Sequence, residues 1–162
     1  MIDDAEELGR VHVQVWREAY AGLMPQESLD RLDPVRRGAR WRERAEAAEQ
    51  ETVSEPTTQV AHHVPSGAVV GFATVAPGRD DDTPTPWELW AINVLAAHHG
   101  TGVADQLLAD TLGERAAYLW VLQGNERAIA FYRKHGFALD GVTKRDEHLG
   151  VDELRMVRGS AT

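Results

Sequence analysis

Cysteine is absent from the 162 residues. That excludes disulfide frameworks, thiolate metal sites, iron–sulfur clusters and cysteine nucleophiles. Lysine is nearly absent too, at Lys134 and Lys144 only, so arginine carries the basic charge. No apolar run approaches the roughly 18–20 residues that span a membrane. The opening Met1-Ile2-Asp3-Asp4-Ala5-Glu6-Glu7 is acidic and has no apolar stretch, so no signal peptide is expected and the expected location is cytoplasmic. Basic residues are in deficit, 17 against 26 acidic, for a net charge of −9. Nucleic acid and anionic membranes are therefore not expected partners, and the overall field favours cationic acceptors such as amines. The seven histidines include the pairs His62-His63 and His98-His99. Neighbouring strand residues point to opposite faces and no H-E-x-x-H spacing occurs, so no metal is expected. Ser28, Ser54, Ser66 and Ser160 all lack a G-x-S-x-G context, which argues against a serine hydrolase.

What remains is an ordinary globular balance, 43% hydrophobic and 27% charged, read as one domain over residues 1–162. Apolar residues at Ala5, Leu8, Val11, Val15 and Ala19 predict an amphipathic helix from Asp3 to Tyr20, with Asp3 or Asp4 as its cap. Residues 26–50 read as a short and a longer helix divided at Asp33-Pro34, the longer one mostly solvated around Trp41. Gln59–Val64 and Ala68–Ala76 form a hairpin about Pro65-Ser66-Gly67. Residues 77–86 make a loop, in which Asp80-Asp81-Asp82 is either solvated or an attractor for a cationic acceptor. Strict alternation over the next strand, Trp87–Leu95, sets Trp87, Leu89 and Ala91 on one face and Glu88, Trp90, Ile92 and Val94 on the other. A glycine turn, a helix near 103–115, the apolar strand Ala117–Leu122 and a helix from Asn125 to His135 follow. Gly136 ends that helix, and strands 137–142 and 151–157 close the chain. The fold class is mixed α/β: a twisted, mostly antiparallel sheet flanked by helices, not a doubly wound one.

The strand running into His98-His99-Gly100-Thr101-Gly102-Val103-Ala104 aims free backbone N–H groups and a helix dipole at one point, which suits a pyrophosphate. It carries neither the P-loop lysine nor a Rossmann G-x-G-x-x-G. Together with Asn125-Glu126-Arg127-Ala128-Ile129-Ala130-Phe131-Tyr132-Arg133-Lys134-His135-Gly136-Phe137, it resembles two signatures of the GNAT family, the Gcn5-related N-acetyltransferases. These are [Q/R]-x-x-G-x-[G/A] and N-x-x-A-x-x-F-Y-x-x-x-G-F. The family's Gln or Arg is His99 here, a departure that keeps the backbone role. Family members usually begin with a strand before the first helix. In this chain that strand is either absent or lies upstream of Met1.

The resemblance implies acetyl transfer from acetyl-CoA to a primary amine, on a small molecule or a peptide, by direct attack in a ternary complex, and it favours a homodimer. It implies that the main chain of Ile92 and Val94 holds the pantetheine arm, with the Val94 N–H as oxyanion donor. His99, Gly100, Thr101, Gly102, Val103 and Ala104 would hold the pyrophosphate, and Asn125 would add a pantetheine contact to its capping role. Tyr132 is the candidate general acid. Glu88, six residues before Val94 on the expected same face, is the candidate base, acting directly or through water. Trp16, Tyr20 and Trp87 are candidate acceptor-lining residues. The alternative is a catalytically inactive acyl-CoA-binding or regulatory module on the same fold.

Overall fold

A computed structural model describes residues 2–50, 56–64, 66–147 and 149–159, with residues 49 and 50 by backbone alone. Helix α1 (Ala5–Ala19) follows the expected periodicity, burying Leu8, Val11 and Val15. The expected acidic cap is not made: Asp4 occupies the N-cap position without a side-chain capping bond, and its carboxylate meets His62 at 2.8 Å instead. Helices α2 (Gln26–Asp30) and α3 (Pro34–Gln50) divide at Asp33-Pro34 as expected. The Asp33 carboxylate accepts the Val35 N–H at 2.8 Å. Strands β1 (Thr57–His62), β2 (Val69–Pro77), β3 (Trp87–Val94), β4 (Ala117–Leu122), β5 (Ala138–Asp146) and β6 (Val151–Arg158) form one sheet in the order β1-β2-β3-β4-β6-β5. Helix α4 (Val103–Thr111) joins β3 to β4, and α5 (Glu126–Lys134) follows β4. Among the described residues no strand precedes α1 and no helix is long and apolar enough to cross a membrane.

Every neighbouring pair of strands is antiparallel except β3 and β4. These two run parallel and pair only at Trp87↔Ala117 and Glu88↔Tyr118 before they diverge. One core packs Leu108, Leu112, Ile129, Tyr132 and Phe137 of the α4 and α5 side onto Val75, Leu89, Leu119 and Met156 of the sheet. The other packs Leu8, Val11, Val15 and Trp41 of α1 and α3 onto Val69 and Phe72. Trp41 is therefore a core anchor on an otherwise polar helix, as its isolation among Arg and Glu implied.

The α1–α3 crossing is closed by glycine. A Cβ on Gly9 would lie 2.4 Å from the Pro34 carbonyl oxygen and 2.5 Å from the Gly38 nitrogen, both backbone atoms that cannot step aside. Replacing a mid-helix glycine with alanine ordinarily gains about 1 kcal/mol in helix propensity. Here overpacking, typically about 1–3 kcal/mol, acts against a rigid neighbour. Gly9→Ala is expected to lower stability by roughly 1 kcal/mol net, read by urea denaturation followed by circular dichroism.

Candidate functional site

Where β3 and β4 part, their facing edges border a cleft of about 320 Å³. The Leu95 N–H bonds the Val70 carbonyl at 3.0 Å, toward β2. Backbone direction alternates along a strand, so the N–H and C=O groups of Val94 and Ile92 face away from β2 and into the cleft. At the end of β3 the chain passes through a 3₁₀ turn (Ala96–His98) to Gly100 and Gly102, at φ +74° and +87°. A side chain at either glycine would meet nothing within 4 Å, so both turns face open space. Gly102 is the N-cap of α4, whose first free N–H groups open onto the same space.

His99 turns inward. Its Nε2 lies 2.9 Å from the Val94 carbonyl oxygen and donates to it, which leaves Nδ1 to accept from Arg127 of α5. Arg127 thus sets a cation beside the glycine turn, facing where the phosphates of a nucleotide-bearing ligand would lie. The sequence reading passed over it because it sits inside the second motif at a variable position. Asn125 caps α5 as expected, its carboxamide oxygen accepting the Ala128 N–H at 3.3 Å. That cap points Tyr132, on the last turns of α5, into the cleft wall. Burial, with Tyr20 as a second cause, raises the phenol well above its ordinary pKa and keeps it protonated.

Glu88 is not where strict alternation puts it. The β2–β3 register slips between Thr74 and Val75, so that Leu89 and Ala91 face these two residues and Trp90 is an extra, bulged residue. Beyond the bulge the faces exchange. Ile92 and Val94 join Leu89 on the α4 side, whereas Ala91 packs with the α1 and α3 core. Glu88 therefore lies on the face opposite Val94. It is 2% exposed, and its carboxylate is gripped by the Arg79 guanidinium at 2.6 and 3.0 Å and by the Tyr118 hydroxyl at 3.2 Å. The same parity corrects Trp87, which packs into the α4 and α5 core beneath the Arg115 guanidinium and lines neither of the two cavities on the Glu88 face.

Trp16 lines both of those cavities, and Tyr20 lines one of them. The two adjoin and share Trp16, Arg79, Trp90 and Trp120. Glu153 of β6 lines the outer one, where burial raises its carboxyl pKa against the opposing pull of Lys144 at 3.7 Å. Burial, followed by the Glu153 charge, pushes the Tyr20 hydroxyl up to about 12. The acidic triplet is divided: Asp81 and Asp82 are exposed, as a solvated loop implies, whereas Asp80 is half-buried and tied. Burial acts on Asp80 from one side, but the Trp120 indole N–H at 2.9 Å, Tyr118 and Lys144 hold its carboxyl below the usual range. Asp82 pairs with Arg155 at 3.1 Å, and Arg155, its side chain 7% exposed, also holds Asp140 at 2.7 Å.

The family model described as an acetyltransferase (GNAT) domain matches residues 55–139. YuaI, an uncharacterized N-acetyltransferase of Bacillus subtilis, is 25% identical over 171 residues, spanning 97% of this chain and 92% of its own. Rv2669, an uncharacterized N-acetyltransferase of Mycobacterium tuberculosis, is 29% identical over 145 residues, spanning 85% of each. The structure of PaiA N-acetyltransferase from Thermoplasma acidophilum, in complex with coenzyme A, shares the fold at a TM-score of 0.70. Its identity is 16%, over 99% of this chain and 94% of that one.

Beneath the inner cavity, His12 is 8% exposed and neither ring nitrogen has a partner among the described residues. Burial first, then the Arg37 and Arg44 charges, lower its pKa from 6.5 to about 3. Unfolding frees it to bind a proton at any pH between those two values. Stability contributed by neutral His12 is thus whole above pH 6.5 and is lost progressively as pH falls toward 3. Unfolding free energies from urea titrations between pH 7 and 4 are expected to fall by up to about 1.4 kcal/mol per pH unit more in the parent protein than in His12→Leu.

Proposed function

Since the chain belongs to the GNAT acetyltransferase family, we propose that it transfers the acetyl group of acetyl-CoA to a primary amine, as one domain spanning residues 1–162. The observation that carries this reading is the parting of β3 from β4, with the Val94 N–H, the glycine turn and Tyr132 around one cleft. Acetyl-CoA supplies an activated acyl group on a thiol that leaves readily. Ile92 and Val94 offer edge hydrogen bonds to its extended arm, and the turn from His99 to Ala104 receives the pyrophosphate with Arg127 alongside. The Val94 N–H donates to the thioester oxygen as the amine nitrogen attacks the carbonyl carbon. The C–S bond then breaks, and the buried Tyr132 phenol gives its proton to the departing sulfur.

Glu88, expected as the base, serves instead to hold Arg79, because its carboxylate oxygens are already engaged. The amine proton leaves through water toward Glu153, a partly buried carboxylate with raised basicity on the acceptor side. No step passes through a covalent enzyme intermediate.

Micromolar acetyl-CoA binding in calorimetry, lost in Gly102→Glu through steric and charge conflict, is the expected first result. Tyr132→Phe should keep that binding while turnover falls by roughly 10²-fold or more. Binding without turnover on any amine would favour the inactive acyl-CoA-binding module. A separate expectation concerns pH. Parent kcat/KM falls as pH drops through the raised Glu153 pKa, and Glu153→Gln flattens that acid limb while lowering the plateau. A limb unchanged in this variant removes Glu153 from the proton path.

A further inference from the structure

The inner acceptor cavity carries charge opposite to that of the whole protein. It has a volume of about 190 Å³ and runs from Arg37 and Arg44 of α3 to Ile92 and Tyr132 at the reacting end. Three guanidinium groups line it, those of Arg37, Arg44 and Arg79, and among the described residues no carboxylate does. Arg79 is neutralised by Glu88, but neither Arg37 nor Arg44 has a carboxylate partner there. Each instead rests over an indole, Arg37 over Trp16 and Arg44 over Trp41.

The second observation is independent of charge. The cavity wall holds buried polar atoms without a partner among the described residues: the Trp41 and Trp90 indole N–H groups and both nitrogens of His12. Indole nitrogen can only donate, and a neutral imidazole has one donor and one acceptor. An unmet buried donor is costly, so a wall that keeps several of them beside two unpaired cations is built for something that accepts. A bare ammonium satisfies none of the donors among them. An oxyanion can accept from the indole N–H groups and from the single N–H of neutral His12, and arginine's planar fork fits it in two-point fashion.

We propose that the acceptor is an amino acid or a close analogue: a small molecule whose amine faces Tyr132 and whose carboxylate or phosphonate docks on Arg37 and Arg44. This rests on the acetyl-transfer reading for the amine end and on the cavity wall alone for the anionic end. At about 190 Å³ the cavity is smaller than the roughly 300–1,000 Å³ of drug-sized pockets, which suits a single metabolite-sized molecule. The overall acidic charge pointed to cationic acceptors. The local wall selects a zwitterion.

The test uses a panel of free amino acids, their carboxamides, their decarboxylated amines and the matching aminophosphonates. Binding is followed without acetyl-CoA by quenching of intrinsic tryptophan fluorescence, since Trp16, Trp41, Trp90 and Trp120 all line the cavity. Transfer is followed by thiol release. At least one acid is expected to quench saturably, and its carboxamide to bind tenfold or more weakly. Arg37→Gln and Arg44→Gln should each shrink that acid-to-amide ratio by about tenfold, the value of one charged hydrogen bond. Arg10→Gln, exposed on α1 away from the cavity, should leave the ratio unchanged, and thermal melts verify that each variant is folded. Equal binding of acids and amides, an unshifted ratio in both arginine variants, or no quenching by any acid or phosphonate overturns the proposal. Arginine-dependent acid binding without thiol release would instead overturn the acetyl-transfer reading and leave the anion site standing. Preference between carboxylate and phosphonate identifies which oxyanion the wall was shaped for.

Discussion

Two parallel strands that stay together for only two residue pairs govern everything else in this molecule. A buried sheet normally closes every backbone donor and acceptor into its ladder. Here β3 and β4 keep their outer partners, β2 and β6, and give up each other. One of the peptide groups so released, the Val94 carbonyl, accepts from His99, and for the others a ligand with an extended, amide-bearing arm is the natural complement. The bulge at Trp90 belongs to the same constraint. By adding one residue to β3 where the strands part, it increases local twist and reverses which side chains face which layer. Tyr132 and the Val94 main chain come to border one cleft, and Glu88 is turned to the other side of the sheet.

Charge is partitioned as sharply as the backbone. A protein of net charge −9 gathers Arg37, Arg44 and Arg79 about one cavity and Arg127 beside the glycine turn. Acidic residues elsewhere are used as ties. Asp80 holds the Trp120 indole, Asp82 and Asp140 share Arg155, and Asp105 accepts from His135 at 3.0 Å. Global charge therefore says little about what approaches the working surface, where a few groups at short range in a partly dry cavity outweigh many screened ones.

The sequence was most legible where a pattern depended on neighbours in the chain. Asn125 and Gly136 bracket α5, the unbroken apolar run from Ala117 marks β4, and Gly102 marks the start of α4, because caps, runs and turns are local chemistry. It was least legible where one residue changed parity. Trp87-Glu88-Leu89-Trp90-Ala91-Ile92-Asn93-Val94 alternates equally well with or without a bulge, so the faces of Glu88 and Trp87 were misassigned by a feature that only the register with β2 reveals. The ties of Asp80 and Asp82 were illegible for a related reason. Their partners Trp120 and Arg155 lie on β4 and β6, far along the chain, and nothing adjacent to the two aspartates announces them. Arg37 and Arg44 were visible as helix residues, but what they face is decided by how α3 crosses α1.

That crossing separates two kinds of inheritance. Residues 88–136 supply most of the cleft wall, the glycine turn and the phenol, whereas the arginines proposed to meet the far end of the acceptor ride on α3. Helix α3 is seated through backbone contact at Gly9 and Gly38 and through Trp41, and most of its remaining side chains are exposed. Substitutions on its cavity-facing side can accumulate without disturbing the reaction or the seat of the helix. Descendants of such a chain could diverge in diet while keeping the same chemistry, and a comparison of lineages would find variation concentrated on one helix rather than spread along the sheet.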